Sequence, residues 1–238
     1  MNQEKLFFSI VIPAHNEEKY IEETLTNIKN LNYPADSLET IVVENGSTDK
    51  TAEIAKKFES QNIKVFISTE KGVSKARNFG ISKVNLKSDW VIFLDADTIL
   101  KSDFLNELNT YLQKNINKNL SVGTVSLRPL PETLVAKFWF SFFDLSYRFF
   151  KLSFAIQIAR ASLLKNIKYD EQMEKAEDQK FIKDLRRFGN FFFMHTRSVF
   201  TSTRRFTQVG WLKLLGIWSL ETISASWRQR HLKYPVIR

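Results

Sequence analysis

Leu6-Phe7-Phe8-Ser9-Ile10-Val11-Ile12-Pro13-Ala14-His15-Asn16-Glu17 is an apolar run that stops at a proline and passes into polar residues. Proline has no N–H for a sheet ladder, so Leu6 to Ile12 reads as a buried strand ended by Pro13. Helical spacing follows, with Tyr20, Ile21, Thr24, Leu25 and Ile28 on one face of residues 17–29. The same alternation continues outward. Residues 39–43 read as a second strand closed by the turn residues Asn45 and Gly46. Residues 48–58 read as a helix capped by Ser47 or Thr48. A third strand at 63–67, a helix at 73–84 and a fourth strand at 90–94 complete the pattern. Strands alternating with helices in units of about 25 residues specify an α/β fold with a parallel, doubly wound sheet. Such sheets bind ligands beyond the carboxyl ends of their strands. At three of those ends stand Asn16 and Glu17, then Glu44 and Asn45, then Asp95 and Asp97.

The second half is patterned differently. Residues 120–127, 154–159 and 191–194 read as strands. Residues 177–188 read as a helix with Gly189 as its C-cap. Nine aromatic residues crowd 138–154. Core packing is the main expectation for them, and a surface entering a lipid headgroup layer the lesser one. Trp211 to Arg230 reads as one long helix. With no internal repeat and no low-complexity linker, both halves are expected to share one continuous sheet.

The 238 residues are 43% hydrophobic and 26% charged, enough for a sizeable core. The absence of cysteine excludes disulfides, Cys-ligated zinc and thiol nucleophiles, and three histidines make a His-rich metal cage an unfavoured reading. The longest charge-free stretch, Leu6 to Asn16, has 11 residues and contains Pro13, well short of the ~20 needed to span a bilayer. Glu4 and Lys5 stand where a signal peptide would begin, so neither a spanning helix nor a leader is expected. The formal net charge is +9, and residues 201–238 hold seven Lys or Arg against Glu221 alone. Such a tail suits nucleic acid, anionic lipid or a phosphorylated substrate, or is simply a solvated face.

Four segments carry chemistry. Asp95-Ala96-Asp97 ends the fourth strand, where two carboxylates can meet one hard cation or can serve only as turn residues. Glu44 can accept from a base N–H or a ribose hydroxyl, whereas Ser47, Thr48 and Asp49 suit the turn and cap. Gly72 allows close backbone approach, and Lys71 and Arg77 offer cations for a diphosphate. Glu177-Asp178 opens a helix, where acids complement the backbone dipole or provide a general base.

In this order the segments resemble the family 2 glycosyltransferases, which have the GT-A fold. The matching text is Ser9 to Glu18, Val42 to Asp49, Gly72 to Asn78, Asp95-Ala96-Asp97 and Glu177-Asp178, and it spans roughly residues 8–206. Where the family usually has Gly-Gly-Phe-Asp-Glu, this chain has Ile167-Lys168-Tyr169-Asp170-Glu171, which leaves the acceptor side open. The resemblance implies a Rossmann-like, mostly parallel sheet with a nucleotide-sugar half (1–100), an acceptor half (101–206) and a basic amphipathic segment (207–238). It implies that Pro13, Ala14, His15 and Glu17 line the base pocket. It implies that Glu44 binds base or ribose, that Lys71 and Arg77 reach the nucleotide or its phosphates, and that Asp95 and Ala96 lie near the ribose. Asp97 would hold Mn²⁺ or Mg²⁺, and Asp178 would be the base of an inverting transfer. Glu177, Arg204 and Arg205 would contact the diphosphate or the acceptor, with juxtamembrane charges as the equal reading for the two arginines.

The implied donor is a UDP- or GDP-sugar, and the acceptor a saccharide or lipid-linked saccharide of polysaccharide, glycolipid or envelope synthesis. The expected setting is cytoplasmic, with peripheral contact to an anionic membrane through the basic segment and no nucleic acid partner. His195 reads as a structural histidine on an aromatic strand, with metal ligation as the lesser reading. Two rivals remain. Val91 to Thr98 also fits the Asp-x-Asp-x-Thr motif of haloacid-dehalogenase-type phosphatases, with Asp95 as nucleophile. A nucleotide-sugar-binding module without turnover is the other.

Overall fold

A computed structural model of the chain describes residues 5–173, 176–211 and 213. Its first half runs β1 (Phe8–Ala14), α1 (Ile21–Lys29), β2 (Leu38–Asn45), α2 (Thr51–Lys56), β3 (Ile63–Ser68), α3 (Val73–Lys83) and β4 (Trp90–Leu94). Its second half runs β5 (Thr98–Leu100), α4 (Phe104–Lys114), β6 (Leu120–Val125), β7 (Arg128–Leu130), α5 (Leu134–Phe150), β8 (Ile156–Arg160), α6 (Glu177–Leu185), β9 (Asn190–Met194), β10 (Val199–Ser202) and α7 (Arg204–Val209). A seven-stranded sheet has the order β3-β2-β1-β4-β8-β6-β9, so strands of both halves share it. Its pairs are parallel except for β8, which runs antiparallel to β4 and β6. A small second sheet has the order β5-β10-β7.

The apolar run of β1 is continuous because both faces of the sheet are covered. Ile10 and Ile12 point into one core with Leu25 and Ile28 of α1 and Leu105 and Leu108 of α4. Val11 points into the other with Ala76 of α3 and Phe181 and Leu185 of α6. Helix α3 lies very close to β1: a Cβ added at Gly80 would stand 2.3 Å from Val11 Cγ1.

Some expectations are corrected. Helix α2 starts at Thr51, and neither Ser47 nor Thr48 caps it. Asp49 Oδ1 accepts from Thr51 N at 3.0 Å instead. Helix α6 ends at Leu185, so Gly189 is not its cap. Gly189 precedes β9, where a Cβ would lie 2.4 Å from the Asn119 carbonyl oxygen. Helix α4 lies where the sequence reading places no element, although Phe104, Leu105, Leu108 and Leu112 are buried at helical spacing. The aromatic cluster is core on one face only. Within α5, Ala136, Phe140, Phe143 and Tyr147 are buried, while Leu134, Phe138, Leu145 and Phe149 stand in solvent.

Trp211 stacks on Phe206 at 4.5 Å and on Trp139 of α5 at 6.1 Å. The long helix expected at 211–230 and its membrane contact lie outside the described residues beyond this point. Among the described residues no helix is long and apolar enough to cross a membrane.

Candidate active site

The loops after β1 and β2 are sewn together by side chains. Asn16 adopts φ 55°, its N–H donates to Ser47 Oγ, and its Oδ1 accepts from Thr48 N. Glu17 N donates to Thr51 Oγ1 at 2.7 Å. The half-buried His15 has Nδ1 at 2.8 Å from the Asn45 carbonyl oxygen. Ser47 and Thr48 therefore hold the neighbouring loop rather than a helix end. Glu44 is buried, and its Oε1 accepts from Ser47 N in its own turn. Pro13 and Ala14 complete this wall at the end of β1, while Lys71 is exposed beside the loop.

Beyond β4 the chain turns tightly, with Thr98 N donating to the Asp95 carbonyl. The two carboxylates of Asp95-Ala96-Asp97 consequently turn to different arginines. Asp95 pairs with Arg77 at 3.3 Å, and Asp97 pairs with Arg204 Nε at 3.1 Å. Ala96 is buried between them, and its carbonyl accepts from Thr24 Oγ1 at 2.8 Å. The charges still interact: burial, and after it the neighbouring Asp95, pushes the Asp97 carboxyl up to about 7.

Arg77 is the buried hinge of the site. It projects from α3, pairs with Asp95 on one side and Glu177 of α6 at 3.1 Å on the other, and lies 4.9 Å over the Tyr169 ring. This arginine brings the β4 carboxylates and the start of α6 into one cluster. Asp178 is half-buried beside it, and its Oδ1 accepts from Gln179 N at 2.8 Å. Burial, then the Glu177 charge, pushes its pKa up to about 7 against the opposing pull of Arg77.

Arg204, at the start of α7, closes the other side. Its guanidinium bonds Glu17 Oε1 at 2.6 Å and Asp97, and lies 4.5 Å from the Tyr20 ring centre. The second oxygen of Glu17 is buried without a partner, and burial raises the pKa of that carboxyl. Arg205 is exposed, with its charge acting on Asp97. A cavity of about 290 Å³ opens here, lined by Tyr20, Thr24, Asp97, Ser202, Arg204 and Thr207.

Two contributors went unread in the sequence. Asn78 clasps the loop before α6, accepting from Tyr169 N and donating to the Tyr169 carbonyl, both at 2.9 Å. Tyr20 forms the platform under Arg204. Asn78 stands beside Arg77 in a segment already singled out, but its partner 91 residues away leaves no local signal. His195 is a correction: it lies past the end of β9, exposed, with its ring edge-on to Phe193.

The model of the family described as "Glycosyl transferase family 2" matches residues 9–126. Among curated proteins, the chain is 28% identical over 181 residues to poly(ribitol-phosphate) beta-N-acetylglucosaminyltransferase TarS of Staphylococcus aureus, covering 73% of this chain and 31% of TarS. It is 36% identical over 126 residues to a dolichyl N-acetyl-alpha-D-glucosaminyl phosphate 3-beta-D-2,3-diacetamido-2,3-dideoxy-beta-D-glucuronosyltransferase of Methanococcus voltae, covering 50% of this chain and 39% of that one. The chain thus spans about a third of the length of the curated relatives it matches. Residues 1–349 of TarS in complex with UDP superpose with a TM-score of 0.70 at 24% identity, covering 83% of this chain and 60% of that one. The mannosyltransferase PcManGT of Pyrobaculum calidifontis, in complex with GDP-Man and Mn²⁺, gives 0.67 at 18% identity, covering 84% and 57%. These structural likenesses establish the GT-A fold. The phosphatase reading finds no support, since three strands precede the one that carries Asp95. With the motifs in family order at the strand ends of a GT-A sheet, residues 9–126 of the chain carry the glycosyl transferase family 2 match.

Proposed function

We propose that the chain transfers a sugar from a nucleotide-diphosphate sugar to an acceptor hydroxyl with inversion. The observation that carries this reading is the double pairing of Arg77, which holds Asp95 at the donor end and Glu177, next to Asp178, in one cluster. Solved neighbours carry UDP, UDP-GlcNAc and GDP-Man, which supports a UDP- or GDP-sugar as donor. Relatives whose names specify poly(ribitol-phosphate) or a dolichyl-linked sugar support a phosphate-bearing or lipid-linked acceptor. A cytoplasmic setting goes with that donor class.

The nucleotide base would lie against the β1 and β2 ends, at His15 and Glu44. Asp178 Oδ1 is engaged by the backbone, so Oδ2 takes the proton of the acceptor hydroxyl. That oxygen attacks the anomeric carbon as the bond to the diphosphate oxygen breaks on the opposite face. Arg204 and Arg205 offset the charge of the departing diphosphate. A binding module without turnover would not need a base poised near neutrality.

A divalent metal fits the donor chemistry. Asp95 and Asp97 present only carboxylate oxygens, which Mg²⁺ and Mn²⁺ prefer, and their mutual repulsion is relieved by a cation. No three acidic or histidine side chains converge on a metal position among the described residues. Asp97, with Asp95 beside it, would hold the ion at the site of the donor diphosphate. When bound, it would supply Lewis-acid stabilisation of the leaving diphosphate. Asp178→Asn should lower transfer by about 10²-fold or more with donor affinity nearly unchanged, the usual scale for loss of a general base. Steady-state turnover beside calorimetric donor binding tests it, and wild-type turnover in the variant would refute the assignment.

A further inference from the structure

Helix α5 is built as two faces. Inward, Phe140, Phe143 and Tyr147 pack against the domain. Outward, Leu134, Phe138, Leu145 and Phe149 are 87%, 69%, 67% and 76% exposed and share one stripe with Phe142. Folded soluble chains seldom leave such a contiguous apolar surface in water, and those that do use it for association.

We propose that this outer face of α5 is a docking surface for an anionic lipid bilayer, lying in the headgroup layer rather than crossing it. Charge favours that occupant. Arg148 stands exposed along one edge of the stripe beside Lys137, which pairs with Glu132 at 2.8 Å, and Lys151 is exposed at its end. The helix's own acid, Asp144, sits to the inner side, where it accepts from Leu127 N at 3.3 Å. An apolar stripe bordered by cations is the pattern of an interfacial helix. The whole chain carries +9. A second copy would present the same stripe, the same cations and the same net charge, so its approach is opposed electrostatically.

The position of α5 deepens the transferase reading, on which this one point rests. Gln179, next to Asp178, donates from Nε2 to the Ser153 carbonyl at 3.0 Å, just past the end of α5. Docking would bring the bilayer to the helix whose end adjoins the start of α6, toward a lipid-linked acceptor.

Co-sedimentation of the full chain with phosphatidylglycerol/phosphatidylcholine vesicles tests the docking directly. Binding at low salt should weaken severalfold toward about 1 M salt, where screening acts within ~3 Å, and should be slight on phosphatidylcholine alone. The triple variant Phe138→Ser/Phe142→Ser/Phe149→Ser should partition at least about tenfold more weakly. The chain has no cysteine, so Leu145→Cys gives a unique site for an environment-sensitive dye, with Leu86→Cys, in an exposed turn between α3 and β4, as control. Vesicles should blue-shift the dye at 145 and leave it unchanged at 86. Indifference of the full chain to anionic vesicles overturns the proposal, as does wild-type partitioning of the triple variant or an unshifted dye at 145. Donor-induced thermal stabilisation, measured without lipid, reads the transferase site separately, so failure of one reading does not imply failure of the other.

Discussion

Asp178 can take a proton only as a carboxylate, and its pKa is pushed up to about 7 by burial and by Glu177. Transfer should therefore rise with pH through about 7 and level off above it, because protonation below that point removes the base. Glu177→Gln deletes the neighbouring negative charge and leaves Arg77 to act on Asp178 unopposed. Both changes favour the ionised form, so the acid limb of the kcat/KM profile should move to lower pH. A pH–rate profile of the variant checks this, and an unmoved limb would mean that Glu177 does not tune the base. The adjacent acids are legible in the sequence. That Glu177 pairs with Arg77 while Asp178 accepts from Gln179 N is not, because both suit a helix's first turn equally.

Helix α3 depends on one missing side chain. In an exposed helix, Gly→Ala would stabilise by about 1 kcal/mol. At Gly80 the new Cβ would stand 2.3 Å from Val11 Cγ1, and Val11 is fully buried between β2 and β4. Overpacking of this kind costs about 1–3 kcal/mol and outweighs the propensity gain. Gly80→Ala should therefore lower Tm, by about 2–4 °C per kcal/mol lost for a domain of this size, and should weaken donor binding because Arg77 rides on the same helix. Thermal unfolding with calorimetry of donor binding measures both. Periodicity reveals that α3 exists, but its distance from β1 is set by the packing of α3 on the sheet, which no local pattern records.

Arg204 joins distant parts of the molecule, reaching Glu17, 187 residues away, and Asp97 in one step. A nucleoside diphosphate with Mn²⁺ should stabilise the native chain by mass action, about 2.7 kcal/mol at a hundredfold excess over Kd. Asp97→Ala should abolish the part of that stabilisation that needs the metal while the unliganded fold survives. Thermal shift with UDP or GDP, with and without Mn²⁺, reads both terms, and a variant that keeps the full Mn²⁺ increment would remove Asp97 from the metal site.

The α/β alternation, the four parallel strands and the polar residues at their ends follow from the chain alone, because apolar runs, proline stops and helical spacing are local signals. The sharing of one sheet by both halves is legible for the same reason, since nothing resembling a linker interrupts them. The partners of the charges belong to the folded molecule. Among 35 Lys and Arg and 26 Asp and Glu, no spacing rule sends Asp95 to Arg77 and Asp97 to Arg204, 107 residues further on. Pairing energies fall steeply with distance and rise with burial, so they are decided only once the sheet has brought remote segments to one edge. The split of the α5 aromatics into a buried and an exposed face has the same origin: every turn of that helix is apolar, and only its neighbours determine which side meets water.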